Sequence, residues 1–344
     1  MDIISVIVRA KGGILLKRLF GQKNQNIESD SYMRALREYK KLSSQDFNNV
    51  QKRLGLDGAT CFSHLYFSGT SYFKRFKKEL ELHSMEYSLD NNDHEIIIVV
   101  PDSRLGNELQ NDRLVQQIIK HSIGSGFLEV TRVDLKSISA IDGARQLAKY
   151  LKERKKRRKV ILASFSHSSA SVRIMLDQLE SDSLSKIKGW VNIAGLIFGS
   201  PLYFCSKKRS GIFGKNVELM RSYSSEQKYF LKPLRESSVK TVHFIGTKVS
   251  SQMGIVEKRR YGFLKPWGPN DGMIAFSSYQ RLKAPVVSVM GQGHFIDLDS
   301  VEITFKRSLC SIVGLVPKGA ALKKWTKPLE KDQSVDKKVT AINY

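Results

Sequence analysis

The chain has 344 residues, 41% of them hydrophobic, and 57 lysines and arginines against 33 aspartates and glutamates, a formal net charge of +24. That is enough for a sizeable core, built as one large α/β domain with extensions or as two small domains. No window of about 18 uncharged apolar residues occurs, which argues against a spanning helix, and three distant cysteines, Cys61, Cys205 and Cys310, exclude a disulfide framework or a zinc site.

The charge points to an anionic partner, nucleic acid or a lipid surface, or else to a solvated basic face. The thiols fit a reducing compartment, so the expected location is cytoplasmic, with peripheral membrane contact open. The chain begins MDIISVIVRAKGGILLKRLF. An acid and no base precede its first apolar run, and bases interrupt that run, unlike a signal peptide. Ile3, Ile4, Ile7, Ile14, Leu15 and Leu19 mix with Arg9, Lys11, Lys17 and Arg18. This suits either a helix lying on a membrane surface or an arm packed on the protein; Gly12 and Gly13 weaken a helix there.

A polar linker is expected over 21–31. A helix follows from about Tyr32 to Leu54, with Leu36, Tyr39 and Leu42 near helical spacing. The aromatic stretch CFSHLYF reads as a strand. Residues 1–91 therefore read as a mainly helical extension.

From Glu95 the pattern becomes regular. EIIIVVP, closed by Pro101, suits a buried strand. GNELQNDRLVQQIIKHS reads as a helix, with Leu109, Leu114, Ile118 and Ile119 roughly on one face, and FLEVTRVDL as a strand. AIDGARQLAKYLKERKKRRK is a helix whose terminal bases complement its negative C-terminus. VILAS is a strand and SASVRIMLDQLE a helix. GWVNIAGLIFG, VKTVHFIGT and APVVSVMG are three more strands, and VEITFKRSLCSIVGL closes as a helix. This alternation predicts a doubly wound, mostly parallel sheet with helices on both faces. Residues 316–344 form a basic, polar tail, expected to be loosely ordered.

Parallel α/β sheets carry their sites at the carboxyl ends of the strands. After VILA comes Ser164-Phe165-Ser166-His167-Ser168. A nucleophile elbow needs small residues two before and two after the nucleophile, because strand and helix close up there. Ser164 and Ser168 meet that need around Ser166; alternatively, SHSSA centres a degenerate elbow on Ser168. Asp271 follows the strand VKTVHFIGT at a distance, framed by Asn270 and Gly272 in a turn-forming sequence. His294 follows APVVSVMG in the loop GQGHF. Taken singly, each also reads as a turn or cap without chemistry.

Together the three come in the chain order Ser, Asp, His, each after a predicted strand, the order of one fold among serine triads. On these residues the sequence resembles the α/β-hydrolase fold, in its lipase and esterase branches, over roughly residues 92–315. GPNDGMI looks like the lipase acid turn and GQGHF like the histidine loop. IAGLIFGSPL looks like the segment after the strand that follows the elbow. Arg173, seven residues after Ser166, has the spacing of the elbow helix and favours Ser166 over Ser168.

The resemblance implies a serine hydrolase acting on a small-molecule or lipid carboxylic ester, with neither metal nor cofactor. Ser166 is the nucleophile, His294 the base, and Asp271 the residue that orients it. The oxyanion donors are the backbone N–H of His167 and one from the loop after EIIIVV, by position Ser103, with Asp102 as the other candidate. That loop, Pro101-Asp102-Ser103-Arg104-Leu105-Gly106, lacks the His-Gly common in lipases. A cap insertion is implied over 203–238, where Tyr203, Phe204, Phe213, Tyr223, Tyr229 and Phe230 either line an acyl pocket or pack the cap.

The run KERKKRRK, Lys152 to Lys159, invites a nucleic-acid or anionic-lipid reading, or a solvated face. It precedes the elbow strand and so belongs to the edge of the sheet opposite the triad. Two competing functions therefore stand beside the esterase: a weak or inactive hydrolase-fold binding protein, and, ranked last, a basic protein that binds nucleic acid or a membrane surface.

Overall fold

The computed structural model describes residues 25–42, 46–82, 93–105, 108–154, 158–202 and 239–314. The N-terminal arm, the cap insertion with its aromatics, Cys205 and the basic tail lie outside them.

Six strands form one sheet: β1 (His94–Val100), β2 (Val130–Asp134), β3 (Lys159–Phe165), β4 (Ile187–Ile193), β5 (Lys240–Thr247) and β6 (Val286–Met290). Their spatial order is β2-β1-β3-β4-β5-β6, and every pairing is parallel. The chain moves out to β2, then crosses back over β1 to add the other four in sequence. Together with the elbow described below, this is the α/β-hydrolase arrangement. The expected mostly parallel sheet is wholly parallel among the described residues.

Burial explains why these segments became strands. Ile96–Val100, Val160–Phe165 and Gly189–Ile193 are buried along their whole length, as central strands covered on both faces must be. Edge strand β2 is only partly covered. The helices between them are α4 (Glu108–Ile123), α5 (Ala140–Glu153), α6 (Ser168–Gln178), the short α7 (Ser181–Ser185), α8 (Ile255–Phe263) and α9 (Glu302–Val313), after α1–α3 at the N-terminal side. On one face Gly189 of β4 and Phe244 of β5 meet Ile312 and Phe305 of α9. On the other, Ser164 of β3 hydrogen-bonds Ser169 of α6.

Three expectations for the N-terminal extension need correction. Residues 25–31 are not linker but the start of helix α1 (Gln25–Leu42). The expected helix from Tyr32 to Leu54 is two elements, because α2 runs Phe47–Gly69 with Asp46 as its N-cap, accepting from the Asn48 N–H at 3.0 Å. CFSHLYF is no strand; it lies inside α2. Its aromatics suit a strand by propensity, but here they pack at helical spacing. Phe62 and Tyr66 both meet Phe47 edge-on, at 6.3 and 5.1 Å between centroids. α2 bends at Gly55, whose φ of 74° is open to glycine alone at little cost. It then crosses β6, where His64 hydrogen-bonds Ser288 at 3.1 Å. α3 (Ser71–Leu82) follows and contacts α9.

The basic run is partly internal. Residues 155–157 lie outside the described set, but Arg154 pairs with the buried Glu95, and Arg158 with Glu129. Two of its bases thus brace strand ends at the amino edge of the sheet. Cys61 and Cys310 are buried, and burial lifts the Cys310 thiol to about 11. Among the described residues, no helix is long and apolar enough to cross a membrane.

Candidate active site

β3 ends at Phe165 and α6 begins at Ser168, so the turn has two residues. Ser166 occupies it with φ of 49°, one of only two described non-glycine residues at positive φ. Such a conformation is costly, of order 1–3 kcal/mol, and persists where neighbours hold it. Here they do. The Ser166 N–H donates to Ile193 O at 3.3 Å, and its carbonyl accepts from the Leu196 N–H at 2.8 Å. The segment after β4 therefore clamps the elbow on both sides. Gly195 has no room for a side chain, since a Cβ there would run into Asn192 and Ser169.

The serines standing where glycines are usual have defined roles. Ser164 Oγ accepts from Trp190 Nε1 at 2.8 Å and pairs with Ser169 Oγ at 2.9 Å. Ser168 Oγ faces Val99 O at 2.7 Å and Phe165 O at 2.9 Å, and accepts from the Phe165 N–H. Ser168 is thus a strut between β1 and the elbow. Its hydroxyl bonds to Val99 and Phe165, whereas that of Ser166 faces His294.

Ser166 Oγ lies 3.0 Å from His294 Nε2, and His294 Nδ1 lies 3.0 Å from Asp271 Oδ2. A carboxylate only accepts, so Nδ1 carries the proton and Nε2 is left to accept from the serine. All three residues are buried. The Asp271 carboxylate is fixed by its own turn, since Oδ1 accepts from the N–H of Met273 at 2.8 Å and of Ile274 at 2.6 Å. Asn270 Oδ1 accepts from the Gly272 N–H, and Ser200 Oγ donates to Met273 O. The histidine loop is tied to α4 through Gln117, which donates to Asp297 and Asp299 and accepts from the Leu298 N–H.

The oxyanion candidates lie just past the carboxyl ends of β3 and β1. His167 is the N-cap of α6, so its N–H stands at the positive end of that helix. Ser103 opens a 3-10 turn at the end of β1. The acid beside it is engaged: Asp102 Oδ1 accepts from Arg104 N and Nε at 2.9 Å each, and Oδ2 from Nη2 at 2.7 Å. That bidentate partner holds the carboxyl below its usual range.

Arg173 is fully buried. Its Nη1 donates to Ile197 O at 2.6 Å, and its guanidinium sits 4.9 Å from the centre of the Phe198 ring. It pins α6 to the segment after β4. Beneath the elbow lies a polar layer that sequence reasoning missed. Asn192 Nδ2 donates to His243 Nδ1 at 2.9 Å and to Tyr279 Oη at 3.2 Å, and Tyr279 Oη donates to Gly195 O at 2.6 Å. These partners are 51 to 87 residues apart in the chain, and no local pattern announces them.

Burial holds two imidazoles, His167 and His243, neutral down to about 3. At His167 electrostatic repulsion by the neighbouring His294 and Arg260 adds to the effect. In the unfolded chain both titrate near 6.5. The unfolded state therefore binds more protons between about 6.5 and 3, and stability falls as pH drops through that window. Each group steepens the fall by up to about 1.4 kcal/mol per pH unit. Urea unfolding at pH 7, 5.5 and 4.5 is expected to show this decline. A change below about 1 kcal/mol from pH 7 to 4.5 would contradict it.

No family model and no curated sequence matches the chain. Among solved structures it is similar to a metagenomic carboxyl esterase, at 13% identity and TM-score 0.43, over 64% of this chain and 74% of the other. It is also similar to the mature lipase BlEst2 of Bacillus licheniformis, at 19% identity and TM-score 0.47, over 67% of this chain and 94% of the other.

Proposed function

We propose that the chain is a serine hydrolase that cleaves carboxylic esters through an acyl-enzyme, with lipid esters the first class to test. The observation that carries this reading is the unbroken chain Ser166–His294–Asp271, with the serine held at positive φ.

As Ser166 Oγ attacks the ester carbonyl, its proton passes to His294 Nε2. The carbonyl π pair moves onto oxygen, and the backbone N–H groups of His167 and Ser103 receive that charge. Asp271 stabilises the imidazolium. The C–O bond then breaks, and the alcohol leaves with the proton from Nε2. Water, deprotonated by the same nitrogen, releases the acid and restores the serine. Each oxyanion donor is worth roughly a hundred- to a thousandfold in rate.

A fluorophosphonate probe should label the folded wild type. Labelling should vanish in Ser166→Ala and persist in Ser168→Ala once that variant is shown to be folded. A folded wild type that stays unlabelled at high probe concentration refutes the reading.

A further inference from the structure

Helix α8 packs directly against the acid turn. A side chain at Gly272 would begin 3.8 Å from Arg260 Cβ and 3.4 Å from the Glu257 carbonyl. One turn earlier, Glu257 is held by Lys248 Nζ at 2.9 Å and by the Gly254 N–H at 3.1 Å, and it borders Gly293 of the histidine loop. Its charge is spent. That of Arg260 is not.

Among the described residues, Nη1 of Arg260 reaches only the thioether of Met273, at 3.6 Å, and sulfur is a weak acceptor. Its Nε is buried without a hydrogen-bond partner. Among the described residues no carboxylate pairs with it. The side chain as a whole is still partly exposed, so it is open on one side. A guanidinium has five donors in a fixed fork, and leaving them unspent in a partly buried place is expensive. Buried polar groups are nearly always satisfied, so an exception calls for a partner that arrives from outside.

Its location says where that partner sits. Met273, which it touches, donates its N–H to the carboxylate that orients His294. Arg260 thus stands against the acid turn, and its charge reaches the imidazole of His167, the residue after the nucleophile.

We propose that Arg260 receives an anionic group of the substrate, a phosphate or a carboxylate carried a few bonds from the scissile ester. The fork geometry suits the paired oxygens of either. The assignment builds on the hydrolase reading above and narrows its substrate class.

Two substrate pairs, each differing by one anionic group, test it. Monoolein against 1-oleoyl-glycerol 3-phosphate isolates a phosphate; p-nitrophenyl butyrate against mono-p-nitrophenyl succinate isolates a carboxylate. In wild type, the kcat/KM ratio of anionic to neutral ester is expected to drop about ten- to a hundredfold on Arg260→Gln in at least one pair, the scale of a lost charge-assisted contact. Arg260→Lys, which keeps the charge and loses the fork, should fall between, and it serves as the readout if the glutamine variant does not fold. The pair that responds identifies the anion. Ratios unchanged in both pairs overturn the assignment.

If wild type hydrolyses none of the four esters, the hydrolase reading fails separately. Calorimetry with glycerol 3-phosphate and with succinate then reads Arg260 without chemistry. Binding by wild type and Ser166→Ala, weakened at least about tenfold in Arg260→Gln, sustains the proposal. Binding to neither anion, or equal binding by the variant, ends it.

Discussion

Asp271→Asn is expected to cost about four orders of magnitude in kcat, as the equivalent change does in other serine triads, while leaving the fold intact. The reason lies in how the turn holds the side chain. Oδ1 accepts two backbone N–H bonds, from Met273 and Ile274. An asparagine must put its oxygen there, because an NH2 facing two donors would leave all three unpaired. Its nitrogen then faces His294 Nδ1 in place of Oδ2. Being a donor, it requires Nδ1 unprotonated, so the proton moves to Nε2. That nitrogen now points a proton at Ser166 Oγ and cannot take one. The imidazolium also loses its counter-charge. The check is steady-state hydrolysis of p-nitrophenyl butyrate beside a thermal melt. An unchanged melting temperature with rate loss identifies the tautomer as the cause, whereas activity within about tenfold of wild type would mean that Asp271 does not orient the base.

Much of this site was legible because its parts are local. A parallel strand buried on both faces reads as a continuous apolar run, so EIIIVV and VILAS announced themselves. Site residues of such a sheet fall just past strand ends, which singled out Ser166 and His294. Asp271, after a longer segment, needed its Asn-Asp-Gly turn. What escaped notice depends on pairing across the chain. CFSHLYF has the composition of a strand, and the rings of Phe47 and Tyr39 that pack against it as a helix come from elsewhere in the chain. The choice between Ser166 and Ser168 is spacing in the sequence; the contact that bears on it in the structure, Ser168 Oγ donating to Val99 O, joins residues 69 apart. The pairing of the Asp102 carboxylate with Arg104, two residues on, is likewise not readable from the sequence. Arg260 carries no signal at all, since arginines abound in a chain of net charge +24 and only its missing partner sets it apart.

Gly246→Ala is expected to abolish most of the proposed ester hydrolysis from a residue outside the triad. Gly246 sits near the end of β5, and the loop after β6 passes over it. A Cβ built there would overlap the carbonyl oxygens of Gln292 and Gly293 and stand 2.7 Å from the Gln292 carbonyl carbon. All three are backbone atoms, so no rotamer change relieves the clash, and the loop must rise by about an ångström to restore van der Waals contact. The residue it carries next is His294. Its Nε2 stands 3.0 Å from Ser166 Oγ and its Nδ1 3.0 Å from Asp271, and one displacement cannot preserve both. A misplacement of that size costs about a hundredfold in rate, and overpacking of this kind about 1–3 kcal/mol in stability. Gly262→Ala is the matched control: it lies in α8 with nothing within 4 Å of its Cβ position. It should keep full activity and melt no lower. If Gly246→Ala loses stability but keeps kcat/KM within about threefold of wild type, the histidine loop is not held by close approach to β5. If both fall together, the glycine is there to let the base reach the nucleophile.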